Sequence, residues 1–413
     1  MKVEHERCCG IDVHKETVVV CVIATDEKGE VKKETRTFGT MTGDLQALGK
    51  WLKGSNVKQV AIESTGVYWK PVYNLLEEQF EIMVVNPERI KALKGKKTDV
   101  GDAEWIADLL RHGLLKGSFI PDALQRELRD LTRYRTTLID ERSRFVNRVQ
   151  KVLEDANIKL SGVASDVMGQ SARAMLTQLI DGNTDAVAMA ELAKGKLRKK
   201  LDLLEKALTG RVNDHHRFML SQILSQIDSL DEAIETLDAR IAEQMHPFEA
   251  EIERWDQLPG INVRLAQIII AEVGVSLKQF PDADHLSSWA GMCPGNNESA
   301  GKRKSGKTRK GSKWLRRALT EAAHGASRTK DKYFQSMFRR IAARRGKKRA
   351  AIAVGHSLLV TGYYMITRQT DYADLGANYY DERDREGAKR RAVKKLQQLG
   401  FEVQLAPTQA VLA

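Results

Sequence analysis

Four carboxylates stand at spacings that could do chemistry. Asp12 sits inside the apolar stretch Gly10–Ala24, whose pattern reads as a β-hairpin broken at His14, Lys15 and Glu16. Glu63 closes a short apolar run in QVAIESTG. Asp99 and Asp102, in KTDVGDAEWIADLL, are three apart at the start of a helical pattern and so share a face. Two strand acids and two helix acids could gather at one edge of a sheet. Carboxylates that close repel one another and resist ionising. A hard divalent cation such as Mg²⁺ relieves the repulsion, accepts oxygen ligands and stabilises a phosphate under attack. A plainer reading makes Glu63 a strand-end charge and Asp99 and Asp102 helix-start residues favoured by the dipole. It leaves Asp12 unexplained. Strand side chains alternate in direction, so Asp12 can point away from the core that takes Ile11 and Val13.

The second concentration of chemistry is basic. The chain holds 67 Lys+Arg against 55 Asp+Glu, a net charge of +12, which suits a nucleic-acid partner. Between Ser299 and Thr320 there are nine basic residues and no acidic one, and Arg339–Arg349 is equally one-signed. The stretch LPGINVRLAQIIIAEVG has a Pro-Gly turn at Gly260 between two short helices. It is similar to a helix-hairpin-helix, which offers backbone amides to DNA phosphates; the plainer reading is only a turn. His215-His216 has no third metal ligand nearby and is expected as a solvated pair. Cys8, Cys9, Cys21 and Cys293 have no zinc spacing and no disulfide framework, and are expected reduced.

These groups need elements to position them. Strands are expected at 8–13, 17–25, 31–38, 58–62 and 82–85, and helices at 43–53, 70–79 and 101–112. Three strands in meander order followed by alternating helix and strand is the order of a ribonuclease H-like α/β domain. Beyond Pro121 the pattern is helical. Leu124, Leu128, Leu131, Leu138, Phe145, Val149 and Val152 fall on one heptad seam, with Arg135 and Arg142 in its gaps. Leu220, Ile223, Ile227, Leu230, Ile234, Leu237 and Ile241 make a cleaner one. The two seams fit either an oligomerising coiled coil or a hairpin packed on itself. The segment 161–200 reads as weakly helical. The expected domains are 1–122 (α/β), 123–248 (helical coiled coil), 249–370 (helical) and a charged tail, 371–413. A chain of 413 residues can bury such cores. Its longest apolar run, Val18–Ala24, is too short for a bilayer, and the charged N-terminus does not read as a signal peptide. A cytoplasmic or nucleoid-associated protein without a membrane partner is expected.

GIDVHKETVVVCVI, AIESTGVYWKPVYNLL, VVNPERIKALKGKKTDVGDAEWIADLLRHG and LSSWAGMCPGNNESAGKRKSGKTRKGSKWLRRAL carry a resemblance. Together they resemble the insertion-sequence-110 family of DEDD transposases, which includes bridge-RNA-guided recombinases. The likeness covers about 8–150 and 253–325. It implies a RuvC-like N-terminal domain with Asp12, Glu63, Asp99 and Asp102 as a quartet holding Mg²⁺. It implies a serine nucleophile in a C-terminal transposase domain, at Ser299 of Ser299-Ala300-Gly301-Lys302, with Ala300 where the family commonly has glycine. Ser305-Gly306 offers a second register. Gly260, Lys302, Arg303, Lys304, Lys307, Arg309 and Lys310 would contact DNA. Lys94, Lys96, Lys97, Arg135 and Arg142 would contact RNA, with Lys91, Arg133, Arg144 and Arg148 beside them. The implied partners are donor and target double-stranded DNA, a structured guide RNA, and further copies of the chain as a dimer or tetramer that share a composite site. The competing reading is a RuvC-like, metal-dependent junction nuclease that uses the quartet and water, with the Ser299 loop only gripping DNA. A third is a non-enzymatic nucleic-acid scaffold.

Overall fold

The computed structural model describes residues 2–25, 29–87, 99–295, 297–299 and 302–405. The chain divides into two compact units, Met1–Pro121 and Asp122–Ala413, each described by itself.

The first unit opens with β1 (Arg7–Val13), β2 (Thr17–Thr25) and β3 (Val31–Gly39), an antiparallel meander. Then follow α1 (Thr42–Gly54), β4 (Gln59–Glu63), α2 (Trp69–Leu76), β5 (Glu81–Val85) and α3 (Asp99–Arg111). β4 pairs parallel to β1, and β5 parallel to β4, so the sheet order is β3-β2-β1-β4-β5. This is the expected ribonuclease H-like arrangement, and each strand lies within one residue of its expected bounds. β1 is central and both its faces are covered, which is why β1 and β2 read as nearly continuous apolar runs. Ile11, Val13, Val20 and Ile62 face Leu48 and Leu76 of α1 and α2. Cys8, Cys21, Ile23 and Ala61 face Ala103, Ile106 and Ala107 of α3. The thiols are core groups, reduced as expected; burial pushes the Cys8 thiol up to about 12.

In the second unit, Asp122 caps α4 (Ala123–Asp155) by accepting from the Gln125 amide at 2.8 Å. Four short helices follow: α5 (Leu160–Val163), α6 (Gln170–Ile180), α7 (Ala186–Ala190) and α8 (Leu201–Leu208). Then α9 (Asp214–Met245) returns along α4. Leu220, Ile223, Ile227, Ile234 and Ile241 of its seam are buried, Leu230 and Leu237 half-buried. On α4 the seam is looser: Leu128, Leu138 and Val149 are buried, while Leu124 is exposed. The two seams meet within one chain as a hairpin. The segment between them is folded, and Met175, Leu176, Leu179 and Met189 pack beneath it with Val149, Leu153 and Ile223. His216 is buried rather than solvated: it closes a capping box with Asn213 and its Nε2 lies 2.9 Å from Asp155. The solvated-pair expectation therefore fails for His216 and holds for His215, which is exposed.

The remaining elements are α10 (Glu249–Asp256), α11 (Val263–Val273), α12 (Ala283–Trp289), β6 (Asn297–Ser299), β7 (Lys302–Ser305), α13 (Lys313–Ala326), α14 (Tyr333–Arg345), α15 (Lys347–Arg368), α16 (Tyr379–Arg383) and α17 (Arg385–Gln398). Their core includes Trp255, Ile269, Leu319, Phe334 and Leu358, and it also takes in Leu128 and Ile241, so the near ends of the long hairpin belong to it. Among the described residues, α15 alone is long and apolar enough to cross a bilayer; it is the core helix here, with Val354, Leu358, Leu359 and Ile366 buried.

A buried ion pair locks α4 to this core. Glu272, 1% exposed, accepts from Arg133 Nε at 2.7 Å and Nη2 at 3.0 Å, and from the Ser312 hydroxyl at 2.9 Å. Ser312 also caps α13, so one carboxylate joins three helices. Glu272→Ala would leave Arg133, a third exposed, without its carboxylate and the Ser312 hydroxyl without its acceptor. It should lower unfolding free energy by about 2 kcal/mol, read from the midpoint of urea unfolding; a loss under about 0.5 kcal/mol would mean that the pair holds nothing.

Candidate functional site

The acids of the first unit are positioned by one close crossing. A Cβ built on Gly10 would lie 2.3 Å from the Ala103 carbonyl oxygen and 2.4 Å from the Ala107 amide nitrogen. With no side chain there, α3 lies directly on β1. It runs back along the strand: the Arg111 carbonyl accepts from the Glu4 and His5 amides, and the Ala107 carbonyl from Cys8 Sγ at 3.4 Å. The N-terminal turn of α3, with Asp99 and Asp102, is therefore at the Asp12 end of β1. Asp12 shares the face of Gly10, two residues on, and is only 6% exposed.

Glu63 joins them through the parallel register. Gly10 pairs with Ala61 and Ile11 with Ile62, and Asp12 and Glu63 are the next residues on their strands. Neighbouring strands are about 4.8 Å apart, so the two carboxylates emerge side by side on the α3 face. They lie at the carboxyl ends of the parallel strands, where open α/β sheets hold ligands. The Thr65 hydroxyl donates to Glu63 Oε1 at 3.2 Å. Asp12 Oδ2 lies 3.2 Å from Nε2 of the half-exposed His14. His14 was not foreseen in this role, although residues two apart on a strand share a face and the pattern Asp-Val-His contained the signal. Asp102 is half-buried, and the Asp99 side chain lies outside the described residues. Among the described residues no three His, Cys, Asp or Glu side chains stand close enough to hold a metal. The acids converging on this end offer oxygen donors, which suit a hard cation.

In the second unit, β6 and β7 form a small hairpin. Ser299 pairs with Lys302 next to the tip, and Asn297 with Ser305 at the base, so the two candidate serines mark opposite ends. Lys302, Arg303 and Lys304 fall on β7; Ala300 and Gly301 lie outside the described residues. A Pro294–Thr308 bridge closes the base. Lys307, Arg309 and Lys310 follow it on exposed chain. Gly260 (φ +86°) lies flat on α13: a Cβ would stand 2.2 Å from the Ala322 carbonyl oxygen. That packing explains the glycine. It also lines an open groove of about 840 Å³ shared with Lys313, His324 and Arg328.

Of two arginines expected at RNA, one is internal and the other is half-buried in an ion pair. Arg135 is 1% exposed and donates to Asp238 at 2.7 Å and to Gln267 at 2.8 Å. Its guanidinium cannot reach a phosphate, which corrects that expectation. Arg142 is bidentate on Asp231 and largely committed there; the same bond raises its pKa above the usual arginine value. Arg133 is held by Glu272, whereas Arg144 and Arg148 are exposed. Lys91, Lys94, Lys96 and Lys97 lie outside the described residues.

Comparison with known proteins agrees with both units. The DEDD Tnp IS110 family model, described as a transposase, matches residues 9–158. A second, described as "Transposase IS116/IS110/IS902 family", matches residues 253–339. A "Probable family 20 transposase" of Pseudomonas aeruginosa is 21% identical over 76% of this chain and 85% of its own length. An "Insertion element IS110 uncharacterized 43.6 kDa protein" of Streptomyces coelicolor is 26% identical over 54% of this chain, which spans 59% of that protein. Thermus thermophilus RuvC is similar at 18% identity over 27% of this chain and 99% of that one, with a TM-score of 0.22 too low to bear on the fold. An acid-bearing α/β unit joined to a basic helical one, matched at both ends, defines an enzyme that acts on DNA, a transposase. The chain belongs to the IS110 family of transposases.

The crossing at Gly10 can be tested directly. Gly10→Ala should cost about 3 kcal/mol, because the added methyl must displace α3 backbone rather than a flexible side chain. Gly43→Ala, in helix α1 with no atom within 4 Å of the new Cβ, should be neutral or stabilising. Thermal unfolding of both variants reads the difference; equal melting temperatures would show that α3 does not need the close approach.

Proposed function

We propose that this transposase cuts and rejoins DNA with Ser299 as nucleophile and with Asp12, Glu63, Asp99 and Asp102 as ligands for Mg²⁺. The observation that carries the reading is the placement of Asp12, a buried carboxylate beside Glu63 at the strand ends toward which α3 brings its acidic first turn. Carboxylates brought this close repel one another, and a hard cation with oxygen ligands relieves that repulsion. When bound, Mg²⁺ would polarise the phosphate and stabilise the charge that develops on it.

The chain's own residues do the rest. Asp12 and Glu63 hold fixed oxygen atoms at the sheet end, and Thr65 orients Glu63. Ser299 Oγ bonds to phosphorus as one P–O bond to deoxyribose breaks, and the hydroxyl proton ends on the leaving oxygen. The phosphoserine diester keeps the energy of the broken bond, so a deoxyribose hydroxyl of another strand can reverse the step without an energy source. Lys302, Arg303 and Lys304 on β7 neutralise the surrounding phosphates. Sequence choice would be delegated to pairing between an element-encoded bridge RNA and both DNA partners, with exposed cations such as Arg144 and Arg148 on its backbone. Oligomerisation would bring the acids of one copy to the serine of another. The Pro-Gly turn between α10 and α11 would act as a helix-hairpin-helix against DNA, and the protein would work at the nucleoid.

One observation favours a second reading. The acids and Ser299 belong to different compact units, so hydrolysis by the quartet and water alone, as in a junction nuclease, needs no joining of the two. A denaturing gel separates the readings. Wild-type protein with cognate DNA, RNA and Mg²⁺ should leave a covalent protein–DNA band. Ser299→Ala should abolish the band while leaving DNA affinity within about twofold, and Asp12→Asn should reduce it by at least about 10²-fold. A band that survives in Ser299→Ala sinks the serine assignment. Cleavage with no band in any variant establishes the hydrolytic reading.

A further inference from the structure

The Arg339–Arg349 run has no part in the chemistry described so far. In the fold it forms one wall of an open pocket of about 1040 Å³. Arg345 ends α14, and Lys348 and Arg349 lie in the first turn of α15; all three are exposed and line the pocket. The facing wall is Gly306, Lys307 and Thr308, the base of the serine hairpin. Arg316 of α13 joins the walls, donating to the Thr308 hydroxyl at 2.7 Å. Five cations from four segments thus converge on one cavity, and among the described residues no carboxylate lines it. The floor is apolar, made by Met292, Met337, Ile341 and Ile352. His356 sits at the inner end, where burial lowers its imidazole pKa against the pull of Asp284.

We propose that this pocket holds a backbone phosphate, with its deoxyribose, of the DNA strand attacked by Ser299, a few nucleotides from the reacting phosphorus. The proposal rests on the serine reading above. The cavity is large enough for a nucleotide unit rather than for an inorganic anion alone. The cationic walls suit the phosphate, and the apolar floor suits the sugar face. Position favours DNA over RNA. β7 is four residues long, about 13 Å, so the pocket mouth at Gly306 is within a hairpin's length of Ser299. A strand engaged at the tip must pass the base.

The test is a coupling measurement on full-length protein carrying Ser299→Ala, so that binding is read without strand transfer. The joined bond is located beforehand by sequencing wild-type products, or, if there are none, the whole duplex is scanned. Single phosphates within three nucleotides of that bond are replaced by uncharged methylphosphonates. With the pocket intact, one or two positions should weaken binding by about fivefold or more. In Arg345→Gln/Arg349→Gln protein, overall affinity should fall about tenfold, the slope of log affinity against log salt should drop by about 2, and those same positions should cease to matter. Arg339→Gln/Arg344→Gln removes equal charge from the same run outside the pocket and should leave the position effect intact. Lys348→Gln, one exposed substitution, gives the same position-matched loss on a smaller scale should the double variant fail to fold. Independent, multiplying effects at every position overturn the proposal. So does a variant that binds DNA normally but loses the structured RNA, which would assign the pocket to RNA. Failure of the serine reading shows instead as an absent covalent band in wild-type protein, whatever the coupling.

Discussion

The acid site depends on a missing methyl group. β1 is the middle strand of five, and its α3-facing side must take both a helix and a charge within a few residues. Gly10 leaves the crossing point of β1 and α3 without a side chain, and the helix backbone comes to within van der Waals contact of the strand. Two residues later, on the same face, the strand carries Asp12. The helix therefore seals the sheet up to Gly10 with Ala103 and Ala107 and ends where Asp12 begins. Its N-terminal turn, which carries Asp99 and Asp102, arrives at the same end. A helix start stabilises nearby carboxylates through its dipole, which lowers the cost of assembling charge there without removing it. The remaining repulsion is what a hard cation would relieve.

The second unit solves the opposite problem, an excess of positive charge. Its arginines divide into two populations that composition cannot separate. Arg133, Arg135 and Arg317 lie along α4 and α13 and meet Glu272, Asp238 and Asp140. These pairs hold helices together, and removing their charge acts on stability. Hydrogen bonding to Arg317 keeps the Asp140 carboxyl below its ordinary pKa, so that link persists as a charged pair down to mild acid. The other population, Arg309 beyond the hairpin and Arg345 and Arg349 at the α14–α15 junction, is exposed, and the last two line the basic pocket. Only that second group can be exchanged between water and phosphate at low cost. A net charge of +12 signals a polyanion, but the charge that does the binding is in these few segments.

The first unit was legible because its strands obey a simple rule. Apolar runs bounded by turns gave β1 to β5 within a residue, and the order of strands and helices gave the sheet. Asp12 and Glu63 could be found because one breaks and the other ends such a run, and Asp102 because it stands three residues after Asp99 at a helix start. His14 escaped because attention to charge types passed over a neighbour two residues away. In the second unit heptad spacing located α4 and α9 but not their partner, since a seam reports that a face is buried and not against what. Arg135 is the clearest case: an arginine inside an apolar seam looked like surface charge. Its partners, Asp238 and Gln267, are more than a hundred residues away and leave no local trace. The same distance hid the pocket, whose walls are forty residues apart in sequence and whose common sign was visible only as two separate basic runs.

The two kinds of charge constrain how DNA can be handled. A phosphate approaching Asp12 and Glu63 meets like charge, and among the described residues no preformed three-acid cluster waits to receive a metal. The acid end alone therefore repels the group on which it must act. The pocket at the base of the hairpin has the reverse property: Lys307, Arg316, Arg345, Lys348 and Arg349 line it, with no carboxylate among the described residues of its wall. Each unit taken by itself carries charge of one sign at its candidate site: carboxylates where the parallel strands of the first unit end, and cations around the pocket of the second. Phosphate in the pocket would neutralise its cations, and a hard cation at the sheet end would turn that field from repulsive to attractive.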